Sequence, residues 1–122
     1  MSSPSPILDS AVMDELRALG RELEQDVLGE VVAAYRKLAP ELLSQMTEAA
    51  SSRSLEALAR AAHTLKGGSA QIGARAVSER ARLVEAAARA GQAESLVALV
   101  EDCRAAHVDA DEALGLALEE KS

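Results

Sequence analysis

The sequence predicts an all-α protein: an antiparallel up-and-down four-helix bundle with a short extra N-terminal helix. Three observations carry this. The 122 residues are 48% hydrophobic but include one Tyr and no Phe or Trp, so the core must be aliphatic, built from Leu, Val, Ala and Met in a composition that favours helices. Apolar residues recur three and four apart along the chain, while strand-like alternation is absent and β-branched residues are few. Four long amphipathic segments joined by short turns then pack most simply as an antiparallel bundle.

Taken in order, residues 1–6 (Met-Ser-Ser-Pro-Ser-Pro) read as a disordered lead-in to a single domain over 7–119. Asp9 is a suitable N-cap for a first helix carrying Val12, Leu16, Leu19 and Leu23, which Gly20 is expected to break or end. A long second helix is predicted from about Glu22 to Ala50, with Val27, Leu28, Val31, Val32, Tyr35, Leu38, Leu42, Leu43 and Met46 as its stripe. Pro40 is a candidate kink, since proline removes a helical hydrogen bond and crowds the preceding turn. Ser51, Ser52 and Ser54 punctuate the chain and offer caps for a third helix, whose inward residues are Leu55, Leu58, Ala62, Leu65, Ser69 and Ile72. Gly73-Ala74 marks a tight reversal. The fourth helix turns Val77, Ala81, Val84 and Ala88 inward and stops at Gly91, a residue type common just past a helix end. A last helix from about Ala93 to Glu119 buries Leu96, Leu99, Val100, Cys103, Ala106, Ala110, Leu114 and Ala117.

Composition also narrows function. Thirteen basic against twenty acidic residues give a charge of −7, which repels phosphate backbones, and no aromatic residues interleave with a basic strip, so nucleic acid is not an expected partner. No apolar run approaches the ~20 residues of a membrane span, and the N-terminus lacks the basic and apolar regions of a signal peptide. A cytoplasmic protein without membrane attachment is expected. The single Cys103 excludes an intramolecular disulfide, and two histidines leave no metal-site spacing; a Cys103 and His107 pair at i, i+4 is too few ligands, and His107 reads as a packing residue on the flank of the last helix. The charge is uneven, however. Between Arg53 and Arg82 six basic residues face two acidic ones, a local balance of +4 that leaves −11 for the remainder of the chain. That segment suits an acidic partner, although solvated helix faces account for such runs as well.

His63 stands inside this segment. On a helical wheel it lies roughly 125° from the centre of the third helix's apolar stripe, and so faces solvent. Glycine costs ~1 kcal/mol relative to alanine in a helix interior, so Gly67 and Gly68 together cost about 2 kcal/mol in a chain that uses alanine freely. Gly67 is one turn beyond His63 on the same face and Ala70 is close to one turn further, which leaves a bare landing strip beside the imidazole. Lys66, at i+3, adds a cation. If the chain reverses at Ala74, His63 and Glu85 are each eleven residues from the turn and stand at the same height, about 16 Å away at 1.5 Å per residue. Glu85 is then positioned to accept the Nδ1 proton, fixing the tautomer and leaving Nε2 as a nucleophilic lone pair.

The run from Ala62 to Ala74, Ala-His-Thr-Leu-Lys-Gly-Gly-Ser-Ala-Gln-Ile-Gly-Ala, resembles the signature of the histidine-containing phosphotransfer (HPt) domain family of two-component phosphorelays. The likeness extends to Ile7-Leu8-Asp9, to Ala39-Pro40-Glu41-Leu42-Leu43, and to Val84-Glu85 followed by Ala88-Arg89-Ala90-Gly91. It implies that His63 is the phosphoryl acceptor, that Lys66 stabilises phosphoryl charge, that Glu85 orients the imidazole where the family has Gln or Glu, and that Gly67 admits the partner, with Gly68 and Ala70 part of the same contact strip. Gly68 replaces a frequent serine, and a Gly-Gly pair is also seen in the N-terminal phosphoacceptor (P1-like) domains of chemotaxis kinases. Tyr35 stands where the family usually has Phe, and its hydroxyl needs a partner or an exposed edge.

Three function classes follow. The first is a phosphoryl carrier: without a Gly-rich nucleotide loop the chain does not phosphorylate itself from ATP. It would then exchange the group with the aspartate of a receiver domain or take it from a histidine kinase, as a monomer with no bound cofactor, the Mg²⁺ belonging to the receiver. The second, a helical scaffold, leaves the exposed histidine and the glycines without a purpose. The third, a hydrolase with His63 as base, lacks a nucleophile and an oxyanion donor set. Incubation with a phosphorylated receiver separates the three.

Overall fold

The computed structural model describes residues 7–120, so the lead-in expected at 1–6 lies outside the described residues. Five α-helices and no strands are found among these residues: α1 (Ser10–Leu23), α2 (Val27–Ser52), α3 (Leu55–Gln71), α4 (Arg75–Arg89) and α5 (Leu96–Glu119), with a 3-10 turn at Ala93–Ser95 leading into the last. Packing runs from α2 to α3, α3 to α4, α4 to α5 and α5 back to α2, a closed ring, and α1 lies against α2. Leu43, Met46, Leu58, Leu65, Ile72, Leu96 and Leu114 fill its centre, all fully buried.

Local chemistry explains most boundaries. Asp9 caps α1 as expected, its carboxylate accepting from the Ala11 N–H at 3.0 Å. Asp26 does the same for α2, accepting from the Gly29 N–H. Gly73 takes φ +79°, and its carbonyl accepts from the Asp9 N–H at 2.8 Å, so the α3–α4 reversal is tied to the start of α1. Gly91 follows α4 with φ +73°.

Several expectations need correction. Gly20 neither breaks nor ends α1. The helix runs on to Leu23 and is closed by Glu24 in the left-handed conformation, after which the Gln25 N–H bonds back to the Gly20 carbonyl. A Cβ on Gly20 would stand 2.7 Å from the Gln25 carbonyl oxygen, so this glycine admits the returning chain. That turn delays α2 to Val27. Along α2 the inward residue is Ala39, fully buried, and Leu38 is 41% exposed; the 3-4 spacing through Val32, Tyr35, Ala39, Leu42 and Met46 is the face that meets the ring. Leu19 and Leu23 are likewise exposed. Ser54 precedes α3 without capping it, because its hydroxyl is paired with that of Ser52. The helix α2 continues through Pro40, which lies on its exposed side, and Leu99 and Ala106 are half-buried, not core.

Candidate functional site

The helix α3 presents its apolar side to the ring, and that rotation leaves His63 outward, its side chain 63% exposed. Across the reversal at Gly73, α4 runs back along α3 and brings Glu85 to the same level. His63 Nδ1 lies 3.0 Å from Glu85 Oε2, as counting residues from the turn requires. Lys66 Nζ donates to the other oxygen, Oε1, at 2.8 Å. Glu85 sits between the helices with its side chain only 10% exposed. A buried carboxylate is stable there because it is paired and hydrogen-bonded. The Lys66 ammonium is the largest influence, followed against it by burial and then supported by Arg89 and His63, and together they hold the Glu85 carboxyl down at about 2. It is therefore ionised at neutral pH, and a carboxylate can only accept, so the proton between it and the imidazole is on Nδ1, which in the neutral ring leaves the lone pair on Nε2.

The positions expected to meet a partner are open. A Cβ added to Gly67 or Gly68 would have nothing within 4 Å, so no internal packing demands either glycine, and Ala70 is exposed beyond them. Gly68 also edges a groove of about 430 Å³ between α2 and α3, lined by Val31, Tyr35 and Leu38 among others. The basic segment is less free than its charge suggests: Arg82 pairs with Glu79 and Arg60 lies 4.0 Å from Glu56.

Two contributors escaped the sequence reading. Arg89 donates from Nε and Nη2 to Glu85 Oε2 at 3.2 and 2.9 Å; its signal was the i, i+4 spacing of a glutamate followed by an arginine on one helix. Ser78 Oγ donates to the Lys66 carbonyl at 2.9 Å, tying α3 to α4 beside the site. Behind the site, Tyr35 finds its partner in Ser69 Oγ at 2.8 Å. Desolvation raises the phenol to about 12. His107 packs its ring 5.9 Å from that of Tyr35, and Cys103 is buried with Sγ directed to the Val77 carbonyl. Among the described residues no group of three His, Cys, Asp or Glu side chains could hold a metal ion.

The site thus offers an imidazole whose Nδ1 is engaged by a carboxylate, an ammonium on the other oxygen of that carboxylate, and a helix face on which a Cβ at Gly67 or Gly68 would meet nothing. The sequence pattern of the Hpt domain matches residues 30–120, and the chain belongs to that family, the histidine phosphotransfer domains of two-component phosphorelays. Its fold is similar to that in the crystal structure of histidine-containing phosphotransfer protein B (HptB) from Pseudomonas aeruginosa PAO1, with a TM-score of 0.81 and 24% identity over 97% of this chain and 96% of that one. No curated protein matches the sequence. Family membership makes two-component proteins, kinases and receiver domains, the partner class. No helix among the described residues is long and apolar enough to cross a membrane.

Proposed function

We propose that the chain is a phosphorelay intermediate in which His63 Nε2 accepts a phosphoryl group from the aspartyl phosphate of a receiver domain and returns it to another. The observation that carries this is Glu85 bridging His63 Nδ1 and Lys66 Nζ, at 3.0 and 2.8 Å, on a helix face left bare by Gly67 and Gly68. The four long helices form the antiparallel up-and-down bundle that holds the pair in register, a reading supported by the closed ring of packing from α2 to α5.

In the forward step the Nε2 lone pair attacks phosphorus, the P–O bond to the receiver's aspartate breaks, and that aspartate departs with the bonding electrons as a carboxylate. The imidazole keeps its Nδ1 proton and becomes positively charged, and the Glu85 carboxylate stabilises that charge and holds the ring plane. Lys66 offsets the negative charge of the phosphoryl oxygens. Positioning and electrostatics supply the catalysis, as in phosphoryl transfer generally. Gly67, Gly68 and Ala70 provide the surface on which the receiver rests. In this reading Mg²⁺ belongs to the receiver's clustered carboxylates, and this chain works as a cytoplasmic monomer without a cofactor of its own. Direct phosphorylation of His63 by a chemotaxis-type kinase would use the same residues with a different donor.

The test is incubation with a radiolabelled, phosphorylated receiver. Label should appear on this chain, be lost in acid and survive in base, and be absent from His63→Gln, whose helicity and melting stay near those of the unaltered chain because the residue is exposed. Label persisting on that variant, or an acid-stable label, overturns the assignment.

A further inference from the structure

Arg89 has no role in the transfer as described, yet it grips the carboxylate that grips His63. Its two nitrogens approach Glu85 Oε2, the oxygen that also accepts from His63 Nδ1, while Oε1 is occupied by Lys66. Glu85 is 10% exposed, Lys66 32% and Arg89 62%, so one buried anion carries two cations at its solvent edge. One cation is enough to balance a carboxylate. The second becomes necessary only when the first is called elsewhere.

That occasion is the transfer itself. Lys66 sits one turn from His63 on a flexible stem, and a phosphoryl group on Nε2 draws its ammonium away from Oε1. If no other cation remained, Glu85 would be a buried, uncompensated charge, which is costly. It would then hold Lys66 back or take up a proton, and in either case the site would lose one of its two functions. Charge counting gives the same answer. Glu85, Lys66 and Arg89 together carry +1 beside a neutral imidazole; a dianionic phosphoryl group and a positively charged ring bring the site to zero. Without Arg89 the free site is neutral and the phosphorylated site is left at −1.

Building on the assignment of the phosphoryl group to His63, we infer that Arg89 is a positioning residue that keeps Glu85 charged and in place while Lys66 turns to the phosphoryl oxygens. The hydrogen bonds of the Arg89 guanidinium go to Glu85, not to the imidazole. Arg89 acts through Glu85, and its effect must therefore vanish when Glu85 has no charge to compensate.

The experiment measures the rate of transfer from a phosphorylated receiver to the full chain, and the lifetime of the resulting phosphohistidine, for Arg89→Ala, Arg89→Lys, Glu85→Gln and the Glu85→Gln/Arg89→Ala double variant. Arg89→Ala should slow transfer by about fivefold, Arg89→Lys should recover most of that loss, and in the Glu85→Gln background Arg89→Ala should change the rate by less than about twofold. Unchanged rates for Arg89→Ala overturn the inference. So does an equal loss in both backgrounds, which would put Arg89 on the phosphoryl group or on the receiver. The parent assignment fails differently, by label on the unaltered chain that His63→Gln does not remove.

Discussion

His63 and Glu85 meet across the α3–α4 reversal with Nδ1 and Oε2 3.0 Å apart, each eleven residues from Ala74. In the proposed mechanism this pairing makes Glu85 the determinant of which imidazole nitrogen is free. Glu85→Ala should keep His63 but lose tautomer control and ring orientation, slowing transfer on the order of tenfold, below the 10²-fold or more typical of groups that move the proton themselves. Glu85→Gln retains an acceptor oxygen and should be milder. Transfer rates from a phosphorylated receiver check both; a larger loss for Gln than for Ala would contradict the orienting role.

Lys66→Ala should slow the same transfer by removing the local cation. Lys66→Arg should recover part of it, because a planar guanidinium aims its donors differently from an ammonium. Full recovery by arginine would mean that charge alone is required.

The glycines separate stability from function. Since a Cβ at either position meets nothing, Gly67→Ala and Gly68→Ala should each stabilise the helix by about 1 kcal/mol and raise the melting temperature by a few degrees. Gly67→Arg should leave the fold intact and block transfer by occupying the landing strip. Thermal melts and transfer assays on the same preparations decide this, and a Gly67→Arg chain that still exchanges phosphoryl groups at the normal rate would show that the strip is not where the receiver rests.

The buried hydroxyl pair of Tyr35 and Ser69, 2.8 Å apart, ties α2 to α3 behind the site. Tyr35→Phe should cost about 1 kcal/mol by leaving Ser69 Oγ without that partner, and adding Ser69→Ala should recover part of the loss, since removing both groups of a buried hydrogen bond is cheaper than removing one. Denaturant unfolding of the two singles and the double gives the coupling directly.

His107 and Glu85 are two of the groups that make stability depend on acid. His107 has a buried Nδ1 without a partner, and desolvation lowers its pKa from the ordinary 6.5. Its unfolded form therefore takes a proton first, so the stability it contributes is present above 6.5 and is lost as the pH falls below that value. Glu85, held at about 2 against an ordinary 4.5 chiefly by Lys66, contributes stability above 4.5 that is lost as the pH falls towards 2. The unaltered chain should therefore lose melting temperature relative to His107→Leu as the pH falls below 6.5, whereas its advantage over Glu85→Gln should be present at neutral pH and shrink only as the pH falls below about 4.5.

The helices, the turn at Gly73 and the exposure of His63 were legible in the sequence because each depends on short-range relations. A three- and four-residue apolar period defines a helix face, a glycine at positive φ defines the reversal, and a residue on the opposite side of the wheel from Leu58, Ala62 and Leu65 has to be outside. Counting from the turn even reached Glu85, because two helices leaving one tight turn stay in register for a few turns at 1.5 Å per residue. The position of Gly20 was misread for the complementary reason: glycine in a helix is compatible with termination or with close approach, and only the arrival of Gln25 against it selects the second.

What the sequence by itself determined, then, was the set of helices, their order and the identity of the side chains that surround the imidazole within one turn of the chain. The tertiary structure alone decided which face of α2 lies innermost, placing Ala39 inside and Leu38 out, because the angle at which a helix docks depends on all its neighbours at once and not on its own period. It also decided that Glu85 is buried under two cations, that the Tyr35 hydroxyl reaches Ser69, and that the basic segment spends Arg60 and Arg82 on local glutamates. Those are distances between side chains on separate helices or in particular rotamers, and periodicity specifies the direction in which a residue points but not what stands at the other end.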